Sequence, residues 1–131
     1  MFANLGTRLK NGVTIDYTVL YTEKTTNMSH LYEGTKFNGN QTINIDTRNV
    51  TNMQAMFKGA TIVNDSDVKS LTIGSNFKIN KVSNMKEMFR NTLTLTDLYL
   101  GAHFNKVAEN NTNMLASCGA NGAVIHVAES I

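Results

Sequence analysis

VTNMQAMFKGA, residues 50–60, sets two Met and one Phe into an otherwise polar run, and VSNMKEMFRNT, residues 82–92, repeats the phrase. Residues 26–34, TNMSHLYEG, and residues 112–120, TNMLASCGA, carry it in weaker form. The shared core is Ser or Thr, then Asn, Met, two residues, an apolar residue and an aromatic. Its Asn positions, Asn27, Asn52, Asn84 and Asn113, are spaced by 25, 32 and 29 residues. Met1-Phe2-Ala3-Asn4 matches Met88-Phe89-Arg90-Asn91, so the chain is expected to open inside a repeat.

A second element recurs between the copies. VTIDYT (13–18), INIDTR (43–48), LTIGSN (71–76), LYLGAH (98–103) and VIHVAE (124–129) each place two apolar residues at alternating positions. Ile15, Ile45, Ile73, Leu100 and Val127 are the expected second inward residues, spaced by 30, 28, 27 and 27. Two elements recurring in step are the mark of a stacked-repeat fold.

Within 50–59, Val50, Met53, Met56 and Phe57 fall at i, i+3, i+6 and i+7, one face of a helix. Thr51 or Asn52 would cap it, with Gln54 completing a capping box and Glu87 doing so after Asn84. Gly34 and Gly59 suit a left-handed stop. A helix of two turns cannot stand alone, so burial of Met and Phe must hold it, at about 1.5–3 kcal/mol per buried side chain. The Asn of each phrase has two readings: it caps its own helix, or it bonds the backbone of the adjacent coil. The repeated residues Asn27, Met28, Asn52, Met53, Met56, Phe57, Asn84, Met85, Met88, Phe89, Asn113 and Met114 are read as structural, with the Met stripe as core rather than a cofactor box. The expected architecture is one α/β solenoid domain over 1–131. It would have four to five coils, at about 1–25, 26–50, 51–82, 83–111 and 112–131. Each coil is a short strand plus a short helix, with a parallel sheet on one side.

Composition agrees with a repeat and excludes other classes. The chain has 18 Asn, 16 Thr and no Pro or Trp. Asn and Thr serve turns and strands better than long helices. Net charge is +2 with both signs dispersed, so no nucleic-acid partner is expected. Apolar runs fall well short of the ~20 residues that span a bilayer, so no direct membrane insertion is expected. Cys118 is the single cysteine, which excludes an internal disulfide.

Catalytic chemistry finds little support. His30, His103 and His126 lack the spacing of a metal site, and Cys118 has no CxxC partner. Asp65 and Asp67 open like a calcium loop but lack its Gly and distal Glu. No phosphate loop or nucleophile elbow occurs. The expectation is a non-enzyme with no cofactor and no metal. Solenoids bind through the surface that equivalent strand positions build. Here the outward row is expected to be Thr14, Asn44, Thr72, Tyr99 and His126, with Asp16 and Asp46 beside it. This row is the candidate ligand face, polar with Tyr99 as its aromatic anchor. Open coil ends also predict end-to-end self-association.

LTIGSNFKINKVSNMKEMF (71–89) and INIDTRNVTNMQAMF (43–57) resemble the BspA-type leucine-rich repeat, also described as the DUF285 or mycoplasma lipoprotein repeat. The edges depart from it: Leu31-Tyr32 replaces Met-Phe in the first full copy, and Ser117-Cys118 stands in its place in the last. The resemblance implies a leucine-rich-repeat-like stack on an extracellular bacterial surface protein. It also implies adhesion to a host or matrix protein or glycan. The other reading is a structural spacer that presents further domains without a ligand of its own.

Overall fold

The computed structural model describes residues 21–104 and 107–127. It is a parallel β-solenoid of about three turns, with no helix among the described residues. The α/β stack of four to five coils expected from the sequence, with a helix in each coil, is therefore corrected.

Three parallel ladders run along the stack. One sheet joins β2 (Gln41–Ile43), β4 (Ser70–Ile73), β5 (Asp97–Tyr99) and β6 (Val124–His126) in that order. A second joins β1 (Lys36–Asn38) to β3 (Thr61–Val63). The third is a row of single parallel bridges, Asn27 to Asn52 to Asn84 to Asn110.

From each bridging Asn the chain runs into a ribbon of consecutive turns, where the helix was expected. All eight amides from Met53 to Ala60 are satisfied in it. Met53, Ala55, Phe57 and Gly59 donate to the carbonyls of Asn84, Lys86, Met88 and Arg90 in the next coil, each at 2.8 Å. Met56, Lys58 and Ala60 donate to carbonyls three residues back, and Gln54 to Asn52 Oδ1 at 2.9 Å. A two-turn helix would leave its first four N–H and last four C=O groups without partners. The turn ribbon leaves no amide of this segment unpaired, because the next coil supplies half of the acceptors and the ribbon's own turns the rest.

The ribbon turns with a period of four. Left-handed φ recurs at His30, Ala55, Glu87 and Asn113, at 59°, 52°, 56° and 54°, and four residues later at Gly34, Gly59, Asn91 and Ser117. The Asn question is answered as a turn: Asn27, Asn52 and Asn84 accept the amides of Ser29, Gln54 and Lys86 through Oδ1. This is the local Asn turn, without a helix behind it.

The same rows revise the last coil. Phe89 donates to the Met114 carbonyl and Met85 to that of Asn110. Asn110 thus takes the place expected of Asn113, and Asn113 occupies a left-handed position. Met114 and Leu115 stand in the Met-Phe rows, displacing Ser117 and Cys118 from that role.

The core lies between ribbon and sheet. Met28, Met53 and Met85 form one buried column; Leu31, Met56, Met88 and Met114 form another. Tyr32, Phe57 and Phe89 stack along the axis, with centroids 5.4 and 5.3 Å apart and planes tilted by 15° and 1°. Ile43, Leu71, Ile73 and Leu98 meet them from the sheet. Ile43, not Ile45, opposes Ile73, although Ile45 is also buried.

Candidate binding face

The outer face of the main sheet carries one continuous row. Thr42 opposes Thr72, Thr72 opposes Tyr99, and Tyr99 opposes His126. β-Branched and aromatic residues suit this half-exposed pleated surface. Ile43, Leu71, Ile73 and Leu98 are buried, which leaves Thr42, Thr72 and Tyr99 on the outer face, with His126 next in their row.

Tyr99 and His126 stack with centroids 4.1 Å apart and planes 9° from parallel. Tyr99 is 40% exposed. His126 Nε2–H donates to Asp97 Oδ1 at 2.8 Å, and Thr96 Oγ1 donates to Asp97 Oδ2 at 2.8 Å. These two donations, His126 first, hold the Asp97 carboxyl below the usual carboxylate range. The result is a stacked ring pair, held through Asp97, on the outer side of the sheet.

A depressed carboxyl contributes stability above its unfolded-state pKa and loses it as pH falls through the folded value. The ordinary value is about 3.9, so the Asp97 contact should weaken below about pH 4. Asp97→Asn should therefore lower the melting temperature at pH 6 and shrink that difference at pH 3. Equal differences at both pH values in thermal scans would argue against the contact.

The structure brings only some of the expected row together. Thr72, Tyr99 and His126 are brought together as read. Asn44 is not in their row: it lies one position beyond the Ile43–Ile73 pair, opposite Gly74. Its Oδ1 accepts the Asn76 amide at 2.8 Å. A Cβ on Gly74 would meet that oxygen at 2.3 Å, so Asn44 fills a turn rather than offering a contact. Asp46 sits farther along that turn, paired with the Arg48 guanidinium. Arg48's side chain and amide hold its carboxyl below the usual range. Thr14 and Asp16 lie outside the described residues.

Thr42 and Asp97 were missed. QTINI, residues 41–45, is apolar at both 43 and 45, so alternation alone permits two registers. The pairs Ile73-Gly74 and Leu100-Gly101 hold the signal that resolves it: Ile43-Asn44 aligns with them, and Ile45 does not.

Other polar clusters are structural in setting. Glu87 binds Lys58 at 2.8 Å from the neighbouring coil and also pairs with Arg90. Those two cations, Lys58 first, keep its carboxyl low. Lys78 Nζ donates to His103 Nε2 at 2.9 Å. Cys118 accepts from Thr92 Oγ1 at 3.3 Å, and burial pushes its thiol up. Among the described residues, no three His, Cys, Asp or Glu are placed to share a metal ion.

A family model described as "Mycoplasma protein of unknown function, DUF285" matches residues 1–126. No curated protein and no solved structure matches the chain.

Proposed function

Because the chain belongs to the DUF285 family of Mycoplasma proteins of unknown function, we propose that it is a non-catalytic interaction module of a bacterial cell-surface protein. It binds a protein or glycan partner through the outer face of its main sheet. The observation that carries this reading is the row Thr42, Thr72, Tyr99 and His126. It presents a half-exposed ring pair, held by Asp97, amid hydroxyl groups. A fixed ring loses little freedom on contact, and such rings dominate binding energy at interfaces. The resemblance to BspA-type surface repeats supports the extracellular setting and the adhesive role.

The test is saturable binding of the full chain to immobilised matrix glycoproteins, mucins and glycans. Tyr99→Ala should weaken any binding found by about tenfold or more, with unchanged far-ultraviolet dichroism. Binding that survives both Tyr99→Ala and His126→Ala would remove this face from consideration. A spacer reading is favoured by one observation, the unbroken intercoil bonding along the ribbon. It expects no saturable binding to any member of the panel.

A further inference from the structure

Tyr99 and His126 stack across neighbouring strands with centroids 4.1 Å apart, close to the spacing of the strands themselves. Both ring planes therefore lie across the strand-to-strand direction. One face of Tyr99 is covered by His126, and the other is turned toward β4, where Thr72 is the partner of Tyr99. Thr42 on β2 follows Thr72 in the row. A large ring beside two small side chains makes a shelf, with the Tyr99 face as wall and Thr72 and Thr42 as floor. Two strand spacings, about 10 Å, separate the wall from Thr42. That is room for one six-membered ring in van der Waals contact with the wall. Ser70 and Gly74 flank Thr72 on the same face of β4, so that strand raises no bulky side chain beside the floor.

The hydroxyls of Thr42, Thr72 and Tyr99 make no hydrogen bond among the described residues. Other threonines use theirs within the fold. Thr47 Oγ1 donates to the Lys78 carbonyl at 2.6 Å, Thr92 Oγ1 donates to that of Phe89 at 2.9 Å, and Thr94 Oγ1 accepts the Ile62 amide at 3.2 Å. The shelf is also uncharged. Thr42, Thr72 and Tyr99 carry no charge at neutral pH, and the Asp97 carboxylate is held by His126 and Thr96.

These properties select a ligand chemistry. A pyranose presents a patch of C–H groups, whose slight positive charge suits the negative face of an aromatic ring. Its rim hydroxyls both donate and accept, as those of threonine and tyrosine do. An uncharged shelf matches an uncharged sugar and offers no ion partner to a sulfate, a carboxylate or a lysine. We propose, resting on the outer sheet face as the binding face, that the shelf seats one pyranose of a neutral glycan. Its C–H face lies on Tyr99, and its hydroxyls meet those of Thr72 and Thr42. His126 and Asp97 act from behind the wall and hold the Tyr99 ring across the row.

The probes are the methyl β-glycosides of galactose, glucose and N-acetylglucosamine, each with a face lined by C–H groups. Titrated into the isotope-labelled full chain, at least one should shift the amide resonances of Thr42, Thr72 and Tyr99 saturably. Tenfold more salt should leave the affinity unchanged. Tyr99→Ala should weaken binding at least tenfold, and Thr72→Val about fivefold through loss of one hydroxyl. Thr72→Phe extends the ring stack across the strands, keeps Tyr99 and fills the shelf, so it should abolish sugar binding. Wild-type affinity in Thr72→Phe, shifts confined to other residues, or no saturable shift with any probe each overturn the proposal. So does preference for a sulfated or sialylated sugar that added salt removes. A deglycosylated matrix protein that binds wild type and Thr72→Phe alike, but not Tyr99→Ala, overturns the sugar ligand and leaves the binding face standing. Should Thr72→Phe lose its far-ultraviolet dichroism, the wild-type resonance map decides alone.

Discussion

Phe57→Ala is expected to cost about 3–5 kcal/mol of unfolding free energy, the largest effect of any single side-chain truncation in the stack. Phe57 is fully buried and is the middle ring of three, 5.4 Å from Tyr32 and 5.3 Å from Phe89. Its removal opens a cavity against both neighbouring coils at once. In a quasi-one-dimensional fold, stability resides largely in nearest-neighbour interfaces, and this residue serves two of them. Leu115→Ala, in the same row of the last coil, should cost much less because its side chain is already 40% exposed. Urea titrations of the two variants give the comparison. Near-equal losses, or a Phe57→Ala loss below about 1 kcal/mol, would contradict the continuous ring column.

Gly59 should discriminate sharply among its substitutions. Its φ is 69°, and its row continues through Gly34 at 66°, Asn91 at 60° and Ser117 at 54°. Space does not limit the site: a Cβ there would lie 3.9 Å from the Gly34 backbone. Conformation does. Asn tolerates the left-handed region and a β-branched residue does not. Gly59→Asn should therefore cost under about 1 kcal/mol, and Gly59→Val about 2 kcal/mol or more. The Gly59 amide also donates to the Arg90 carbonyl, so a backbone shift that relieves Val would break an intercoil bond. Equal melting temperatures for the two variants would show that the ribbon does not demand this φ.

The ribbon also explains why the sequence misleads at its most conspicuous phrase. Met53, Met56, Phe57 and Ala60 point inward at i, i+3, i+4 and i+7. A helix of period 3.6 produces that spacing, and so does a turn ribbon of period four. Over seven residues the two periods differ by less than one position, so apolar spacing cannot separate them. Hydrogen bonding separates them, and the acceptors belong to a coil about 30 residues away. A helix carries its bonds within itself; this ribbon borrows half of its bonds from the next coil.

The last coil fails to read for a related reason. Thr112-Asn113-Met114 copies the local phrase more faithfully than Glu109-Asn110-Asn111 does. The intercoil bonds nevertheless seat Asn110 in the Asn row, which carries Met114 and Leu115 into the apolar columns. Burying Met114 beneath Met88 outweighs matching a three-residue word. On the strand side, Thr72, Tyr99 and His126 were legible because each lies between two apolar residues in a short run. Thr42 was hidden by the extra apolar residue in QTINI.

By itself, the sequence determined that this chain repeats, that two short elements recur in step, and that the Met and Phe of the central phrases face inward. Burial follows from residue type and spacing, both of which are local. Tertiary structure alone decided the backbone conformation of the phrase, the register of β2 and of the last unit, and the partnership of Asp97 with His126. Each depends on which backbone or side-chain group a neighbouring coil presents. That acceptor is remote in sequence and close only once the coils have stacked.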